Sequence, residues 1–300
     1  MGIEMSTQDS GEIASSLRKV LNTHGHSFHY AVIRRGEELS SERRSKWIFD
    51  GAEFPVTTVG QTTHIDFILK TRHDRTFIVA ECKRADPARA LWCFTRAPYT
   101  WRSSYKSELA FDGIEYGTER GTIRRRHSSN TERGVYHLGF ELKTAGKGDG
   151  LGPSNSAINQ AVAQVLRGTS GLINHLVNDA GKSADTAQNT TGFNRISRFV
   201  PAIFTTAQIF VTDADLGAAD ITTGELPIDA VKTEKRDWIW FMHNRSPSLK
   251  PDLDLYLPSD VYEAEGLSSD LRNEFARSIA IISSEGIDNF LTANLDDWIR

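Results

Sequence analysis

Two acidic residues and a lysine, Asp66, Glu81 and Lys83, lie within or directly after short apolar segments of the chain. These segments, residues 64–69 and 77–80, are rich in Ile, Val and Phe, and a polar run separates them. The pattern predicts two β-strands joined by a tight turn. Charged groups in apolar strands cost free energy unless they are paired, so these three side chains are the first candidates for chemistry.

The register of the predicted hairpin determines which polar residues meet. A symmetric hairpin centred on the polar run sets Asp66 opposite Glu81 and His64 opposite Lys83, all on one face. Directly opposed residues have Cβ atoms roughly 4.5–5.5 Å apart. Two carboxylates at that distance repel each other unless a cation lies between them. The hairpin therefore predicts a metal site with a lysine beside it.

The spacing of these residues resembles a known signature. Asp66 is followed, after fourteen residues, by Glu81-Cys82-Lys83. This resembles the D…(D/E)-X-K signature of the PD-(D/E)XK nuclease superfamily, although Ile65 stands where a proline often precedes the aspartate. The resemblance implies a restriction-endonuclease-like fold, which is an α/β core with a central mixed sheet flanked by helices.

The resemblance also implies an activity, a metal-dependent nuclease that hydrolyses phosphodiester bonds in DNA. Asp66, Glu81 and the backbone carbonyl of Cys82 would bind Mg²⁺ or Mn²⁺, because hard cations prefer oxygen ligands. The metal would activate a water molecule. Lys83 would orient the attacking hydroxide or neutralise developing charge. His64 would contact phosphate or a metal-bound water, with a structural role as an equal alternative.

Two further site residues are candidates by position within the resemblance. A first-helix glutamate often reaches the metal in this superfamily, which makes Glu12 a metal-ligand candidate. The favoured alternative is a capping box of Asp9 with Glu12, which have the required three-residue spacing. Some branches carry a glutamine on the helix after the E-X-K strand, and Gln160 is the candidate there, followed by Gln164. A solvated polar face is an equal alternative for both glutamines.

Three histidines, His24, His26 and His29, form an H-x-H-x-x-H cluster before the hairpin. Zinc would need a fourth ligand and a fixed geometry, and the neighbouring sequence supplies neither. Ordinary surface or loop histidines are the favoured interpretation. The alternative comes from the RecB-like branch of the superfamily, in which an upstream histidine joins the metal site.

Charge is distributed unevenly along a chain whose net charge is −4. Residues 84–133 carry ten basic and six acidic residues, whereas residues 213–300 carry eight and eighteen. A basic region beside the site would follow a phosphate backbone, and Arg124, Arg125 and Arg126, in a predicted polar loop, are the best candidates for phosphate contacts. Solvated surfaces without a ligand explain the same pattern.

Aromatic and basic residues alternate in the first part of the basic region. Trp92, Phe94, Tyr99 and Trp101 are interleaved with arginines such as Arg96. Aromatic rings of this kind stack on unpaired bases in single-strand binders. The favoured alternative is a small satellite core covered by long arginine side chains.

The predicted domain organisation follows from these boundaries. Residues 1–212 form a nuclease-like core, with a basic and aromatic insertion at 84–133. Residues 213–300 form an acidic C-terminal extension, for which packing on the same domain is an open alternative. Periodicity predicts helices over 11–24 and 154–177 and, in the extension, over 267–282 and 287–295. The extension is also a candidate surface for a regulatory protein partner.

Composition excludes several classes of protein. No apolar run approaches the ~18 residues that a membrane span needs, and the polar N-terminus is unlike a signal peptide. Two cysteines, Cys82 and Cys93, suggest neither a disulfide framework nor a zinc site, which favours the cytoplasm. The glycine-rich run 146–153 lacks the spacing of a phosphate-binding loop, which argues against an NTPase.

Other functions stay open on the sequence alone. The main alternative is a non-catalytic nucleic-acid-binding or partner-controlled module on the same fold. DNA is favoured over RNA as the ligand, and restriction or anti-phage defence is a compatible role. Enzymes of this superfamily often dimerise, so a homodimer is a further expectation, although the sequence carries no dimer signature.

Overall fold

The computed structural model describes residues 7–23, 25–58, 60–72, 75–96, 108–116, 123–131, 135–142, 156–184, 195–244 and 276–293. The helices are α1 (Thr7–Thr23), α2 (His26–Ser41), α3 (Ser156–Ala184) and α4 (Ile287–Thr292). The strands are β1 (Trp47–Thr58), β2 (Gln61–Thr71), β3 (Thr76–Lys83), β4 (Leu91–Thr95), β5 (Glu108–Tyr116), β6 (Ile123–Thr131), β7 (Val135–Tyr136), β8 (Leu138–Leu142), β9 (Arg195–Thr205), β10 (Gln208–Thr212), β11 (Thr233–Arg236), β12 (Trp238–Asn244) and β13 (Ala276–Ser283).

A nine-stranded mixed sheet forms the centre of the fold, in the order β1-β2-β3-β9-β13-β12-β7, and β5 joins β6 to β9. Helices α2 and α4 cover one face, where Phe67, Ile78 and Phe204 are buried. Helix α3 covers the opposite face, where Ile65 and Val79 are buried. The predicted fold class, a central mixed sheet flanked by helices, is therefore confirmed.

A smaller sheet of four strands, in the order β11-β10-β4-β8, lies on the α3 side of the large sheet. Trp92 and Phe94 of β4 are fully buried there, against Ile158 and Val162 of α3. These two aromatic side chains therefore belong to a core, as the satellite-core alternative predicts, and are not free to stack on bases. The other predicted aromatic positions, from Tyr99 onwards, lie outside the described residues.

The hairpin has the predicted register. β2 and β3 are antiparallel, and their pairs run from Lys70 opposite Phe77 to Phe67 opposite Ala80. The register could be predicted because the two strands are consecutive in the sequence and the turn between them is symmetric. On its other side β2 pairs with β1, whose register shifts between Phe49 and Gly51.

Two sequence-based predictions of strand and helix placement were wrong. The helix predicted over 267–282 is a strand from Ala276 onwards, and this strand, β13, pairs with β9 and β12 inside the large sheet. The apolar pattern of residues 199–212 predicts a buried strand pair or one long strand at the far side of the sheet, but β9 lies next to β3 near the middle of the large sheet and β10 lies in the small sheet. Together, β12 and β13 place part of the acidic region 213–300 within the large sheet.

Helix α3 approaches the sheet closely through two glycines, Gly168 and Gly171, which lie in one continuous helix. A Cβ atom on Gly171 would lie 2.6 Å from Val56 Cβ, and one on Gly168 would lie 3.0 Å from Ile65 Cγ1. Glycine at these positions lets the helix backbone touch the side chains of β1 and β2.

We expect Gly171→Ala to lower the free energy of unfolding by about 1–3 kcal/mol, because the added methyl overlaps Val56 in a packed core. Alanine's better helix propensity, worth about 1 kcal/mol, only partly offsets this overlap. Urea unfolding followed by circular dichroism measures the change. The matched control is Gly11→Ala on α1, where nothing lies within 4 Å of the new Cβ, and which we expect to be neutral or stabilising. A Gly171→Ala variant as stable as wild type would contradict the close packing.

Among the described helices, none is both long and apolar enough to cross a membrane.

Candidate functional site

An open pocket of about 290 Å³ lies where the hairpin meets α2 and α3. The residues that line it lie on, or directly adjoin, α2, β1, β2, β3 and α3. They are Gly25, His26, His29, Glu53, Asp66, Glu81, Cys82, Lys83, Arg84 and Gln164. The structure thus brings the four residues of the predicted signature into one pocket.

The two carboxylates stand at the point where the hairpin strands separate. Backbone pairing of β2 with β3 ends at Phe67 and Ala80, one step before Asp66 and Glu81. Beyond that point the Asp66 side chain takes the place of a backbone acceptor, and its Oδ2 accepts the Cys82 N–H at 2.6 Å. This hydrogen bond holds the Asp66 carboxylate against β3, next to Glu81.

Burial makes ionisation of both carboxylates unfavourable. Glu81 is only 7% exposed, and burial, followed by the negative charge of Asp66, raises its pKa to about 8. Burial also raises the pKa of Asp66, against the opposing effects of the Cys82 N–H and of His29. Two carboxyl groups that hold protons so strongly form a place where positive charge is stabilised.

These pKa shifts predict that the metal-free protein becomes less stable as pH rises. Folded Glu81 keeps its proton up to about pH 8, whereas the unfolded chain releases it near the ordinary value of 4.5. Between these values the native state binds more protons than the unfolded state, so the free energy of unfolding falls with pH. The raised pKa of Asp66 acts with the same sign. Urea unfolding in EDTA at several pH values between these limits measures the slope.

We expect Glu81→Gln to flatten this slope, because the amide cannot ionise. Glu37→Gln, an exposed position on α2, is the matched control and should leave the slope unchanged. A Glu81→Gln variant with the wild-type slope would assign the pH dependence to another group.

Helix α3 fixes the lysine of the signature. The Lys83 Nζ donates a hydrogen bond to Gln160 Oε1 at 2.8 Å, which ties the end of β3 to the exposed side of α3. One helical turn later, Gln164 lines the pocket. Its Oε1 is buried and has no hydrogen-bond partner in the described part of the chain, so it is an acceptor that a ligand in the pocket would satisfy.

The Cys82 thiol is unsuited to nucleophilic or thiolate chemistry. Burial, and then the nearby carboxylates Asp66 and Glu81, raise its pKa well above the ordinary value. A protonated thiol is a poor nucleophile and a poor metal ligand. Cys82 contributes to the site through its backbone.

The donor atoms around Asp66 and Glu81 fit a hard divalent cation. Carboxylate and carbonyl oxygens are the ligands that Mg²⁺ and Mn²⁺ prefer. The raised pKa of both carboxyl groups indicates that neighbouring cations compensate their negative charge incompletely. A dication would compensate this charge as the bound protons otherwise do.

A residue that the sequence reasoning missed, Glu53, lies in the same pocket. It follows the register shift in β1, and its φ of 50° lies in the left-handed region. Its Oε1 is 3.4 Å from His29 Nδ1. Ligand atoms of His26, His29 and Glu53 all lie within 4.8 Å of one another, so the histidine cluster has a carboxylate that its neighbouring sequence did not reveal.

Two other predicted site residues do not line the pocket. Glu12 is exposed on α1, and His64 is exposed on β2 opposite Pro55 of β1; neither lines the pocket. Arg124, Arg125 and Arg126 lie on β6, paired with β5, so the polar loop predicted there is wrong. Their side chains and the whole of His24 lie outside the described residues.

Comparison with known proteins adds no further identification. No family model, no curated protein and no solved structure matches this chain.

Proposed function

We propose that the protein is a metal-dependent nuclease that hydrolyses phosphodiester bonds, with the site at Asp66, Glu81 and Lys83. The observation that carries the proposal is the meeting of a buried carboxylate, Glu81, and a half-buried one, Asp66, both of raised pKa, with a lysine held by a hydrogen bond, in an open pocket. The resemblance of these residues to the PD-(D/E)XK signature supports the proposal, and so does the mixed sheet flanked by helices.

Each residue has a role that follows from its surroundings. Asp66 and Glu81, with the carbonyl of Cys82, would hold Mg²⁺ or Mn²⁺. Bound there, the ion supplies Lewis-acid stabilisation of the scissile phosphate and activates water for attack. The hydrogen bond from the Cys82 N–H keeps Asp66 in place for this purpose, so the ligand does not have to be ordered when the ion binds.

Lys83 supplies fixed positive charge. Gln160 holds its ammonium group at a position where it neutralises charge that develops on the phosphate during attack. Preorganised charge of this kind is more effective than solvent because it does not reorganise during the reaction. Arg84, which also lines the pocket and donates to the Asn22 carbonyl at 2.5 Å, adds a cation at the pocket edge for the phosphate backbone.

Nucleic acid, with DNA favoured over RNA, is the proposed substrate. The pocket is open to solvent, as a site for a polymer must be. Phosphate contacts by arginine and lysine provide most of the affinity of such complexes and make it depend on salt.

Cleavage of plasmid DNA, single-stranded DNA and RNA with Mg²⁺, Mn²⁺ or EDTA tests the proposal. We expect metal-dependent cutting that disappears in Asp66→Asn, whose amide oxygen still accepts the Cys82 N–H while its charge is lost. The matched control is Asp229→Asn, an exposed position outside the pocket. Equal cutting by wild type and Asp66→Asn would overturn the proposal.

A wild-type protein that binds Mn²⁺ and nucleic acid but cuts neither DNA nor RNA would instead support the alternative function, a binding module. Calorimetry of Mn²⁺ with wild type and Asp66→Asn shows whether the ion binds through Asp66, and the cleavage assay then decides between the two functions. In a binding module the ion still binds through Asp66, but no strand is broken.

A further inference from the structure

A second group of metal-ligating side chains lies in the pocket beside the carboxylates. His26 and His29 come from the first turn of α2, and Glu53 comes from β1. One ligand atom from each lies within 4.8 Å of the other two. Two imidazoles and one carboxylate that converge from two separate elements form a donor set that differs in kind from Asp66 and Glu81.

The burial and hydrogen bonding of His29 are unusual for a histidine that binds no ligand. It is 3% exposed, it stacks against Phe67, and its Nε2 is buried without a hydrogen-bond partner among the described residues. Its Nδ1 lies 3.4 Å from Glu53 Oε1, longer than an ordinary hydrogen bond. A buried imidazole that satisfies neither nitrogen well is destabilising, and a bond from nitrogen to a metal would offset that cost.

Glu53 is held towards this cluster at an energetic cost. Glu53 has a φ of 50°, in the left-handed region that is unfavourable for a residue other than glycine. Its side chain is 47% exposed, so a cation can reach it from solvent. The exposed His26 stands on the solvent side as well.

We propose that His26, His29 and Glu53 bind a first-row transition-metal ion at a site separate from the carboxylate pair. Imidazole nitrogen is a ligand of Zn²⁺, Co²⁺ and Fe²⁺, whereas Mg²⁺ and Mn²⁺ prefer oxygen. Three protein ligands leave open coordination positions, which face the pocket. This site goes beyond the proposed nuclease function and does not depend on it.

The pocket would then hold two metal sites of different selectivity. The oxygen-only site at Asp66 and Glu81 takes Mg²⁺ at high concentration, and the nitrogen-containing site takes a transition ion at lower concentration. Millimolar Mg²⁺ should therefore fail to displace an ion bound by the histidines. In a nuclease, the second ion would add positive charge next to the scissile phosphate.

Titration of the metal-free protein with Co²⁺, followed by its visible d–d absorbance in the presence of excess Mg²⁺, tests the site without any need for activity. We expect wild type to bind one Co²⁺ in this way. His26→Ala and Glu53→Gln should weaken binding by at least about 10–100-fold, the loss that removal of even an outer partner of a metal ligand typically causes. His26 and Glu53 are exposed, so both variants should fold.

Two controls separate this site from the carboxylates and from adventitious binding. His64→Ala removes an exposed histidine outside the pocket and should leave the Co²⁺ titration unchanged. Asp66→Asn should keep the absorbance while it loses the Mg²⁺-dependent activity. The proposal is overturned if His26→Ala titrates like wild type, or if His64→Ala weakens binding as much as His26→Ala does.

Discussion

Replacement of Lys83 by methionine is expected to slow metal-dependent cleavage by about 10²–10³-fold, the loss typical of one preorganised electrostatic contact. Methionine keeps the length and packing of the stem while it removes the charge and the hydrogen bond to Gln160. The same change should leave Mn²⁺ affinity equal or tighter, because the Lys83 charge opposes the negative charge of Asp66 and Glu81 and also repels a dication.

Single-turnover cleavage rates and Mn²⁺ calorimetry, measured on the same preparations, check these two effects. Lys235→Met, at an exposed lysine whose Nζ is 2.6 Å from Glu285, is the matched control and should change neither. A Lys83→Met protein that cleaves at the wild-type rate would remove the lysine from the mechanism. One that fails to bind Mn²⁺ would show that the substitution damaged the carboxylate pair instead.

Loss of the buried ion pair between Asp112 and Arg277 is expected to be the most damaging change outside the site. The guanidinium binds the carboxylate through two hydrogen bonds, Nε to Oδ2 at 2.9 Å and a terminal nitrogen to Oδ1 at 2.7 Å. The two side chains are 5% and 1% exposed. The pair joins β5 to β13, which occupy successive parts of the same edge of β9.

We expect Asp112→Asn to lower the free energy of unfolding by about 3–5 kcal/mol, because the buried Arg277 loses its countercharge. The double variant Asp112→Leu with Arg277→Met should be less destabilised than Asp112→Asn, since an apolar pair leaves no buried charge. Urea unfolding measures both. Lys235→Met again serves as the control, because a surface pair contributes at most about 1 kcal/mol. A loss below that value in Asp112→Asn would mean that Arg277 is satisfied by its other contacts.

The parts of the fold that depend on neighbouring sequence could be predicted, and those that depend on distant pairing could not. The hairpin register is local, so composition and turn symmetry were sufficient. The run 279–282, Ile-Ala-Ile-Ile, is apolar throughout, and such a run is typical of a buried helix and of a buried central strand alike. Only its pairing with β9 and β12 decides between them, and a single sequence does not contain that information in readable form.

The residues of the candidate site also divide into those that neighbouring sequence could predict and those that it could not. The meeting of Asp66, Glu81 and Lys83 could be predicted because one hairpin carries them, whereas Gln160 is a candidate only through the resemblance. Glu53 could not be predicted, because Asp50-Gly51 reads as a turn between two short strands. In the structure this dipeptide is an irregularity inside the single strand β1, and a bulge re-aims the side chains that follow it.

The position of β13 has a consequence for how the molecule forms. β9 receives one of its neighbours from residues 276–283, which are made long after β2, β3 and α3. Until then, the part of one β9 edge that pairs with β13, at residues 202–205, lacks its partner, and unpaired edges of this kind promote association between chains. Folding of the large sheet is therefore a late, long-range event, slow by the usual relation of rate to sequence separation. A chain that stops before Ala276 would retain every residue of the carboxylate pocket and yet have no completed sheet to hold it.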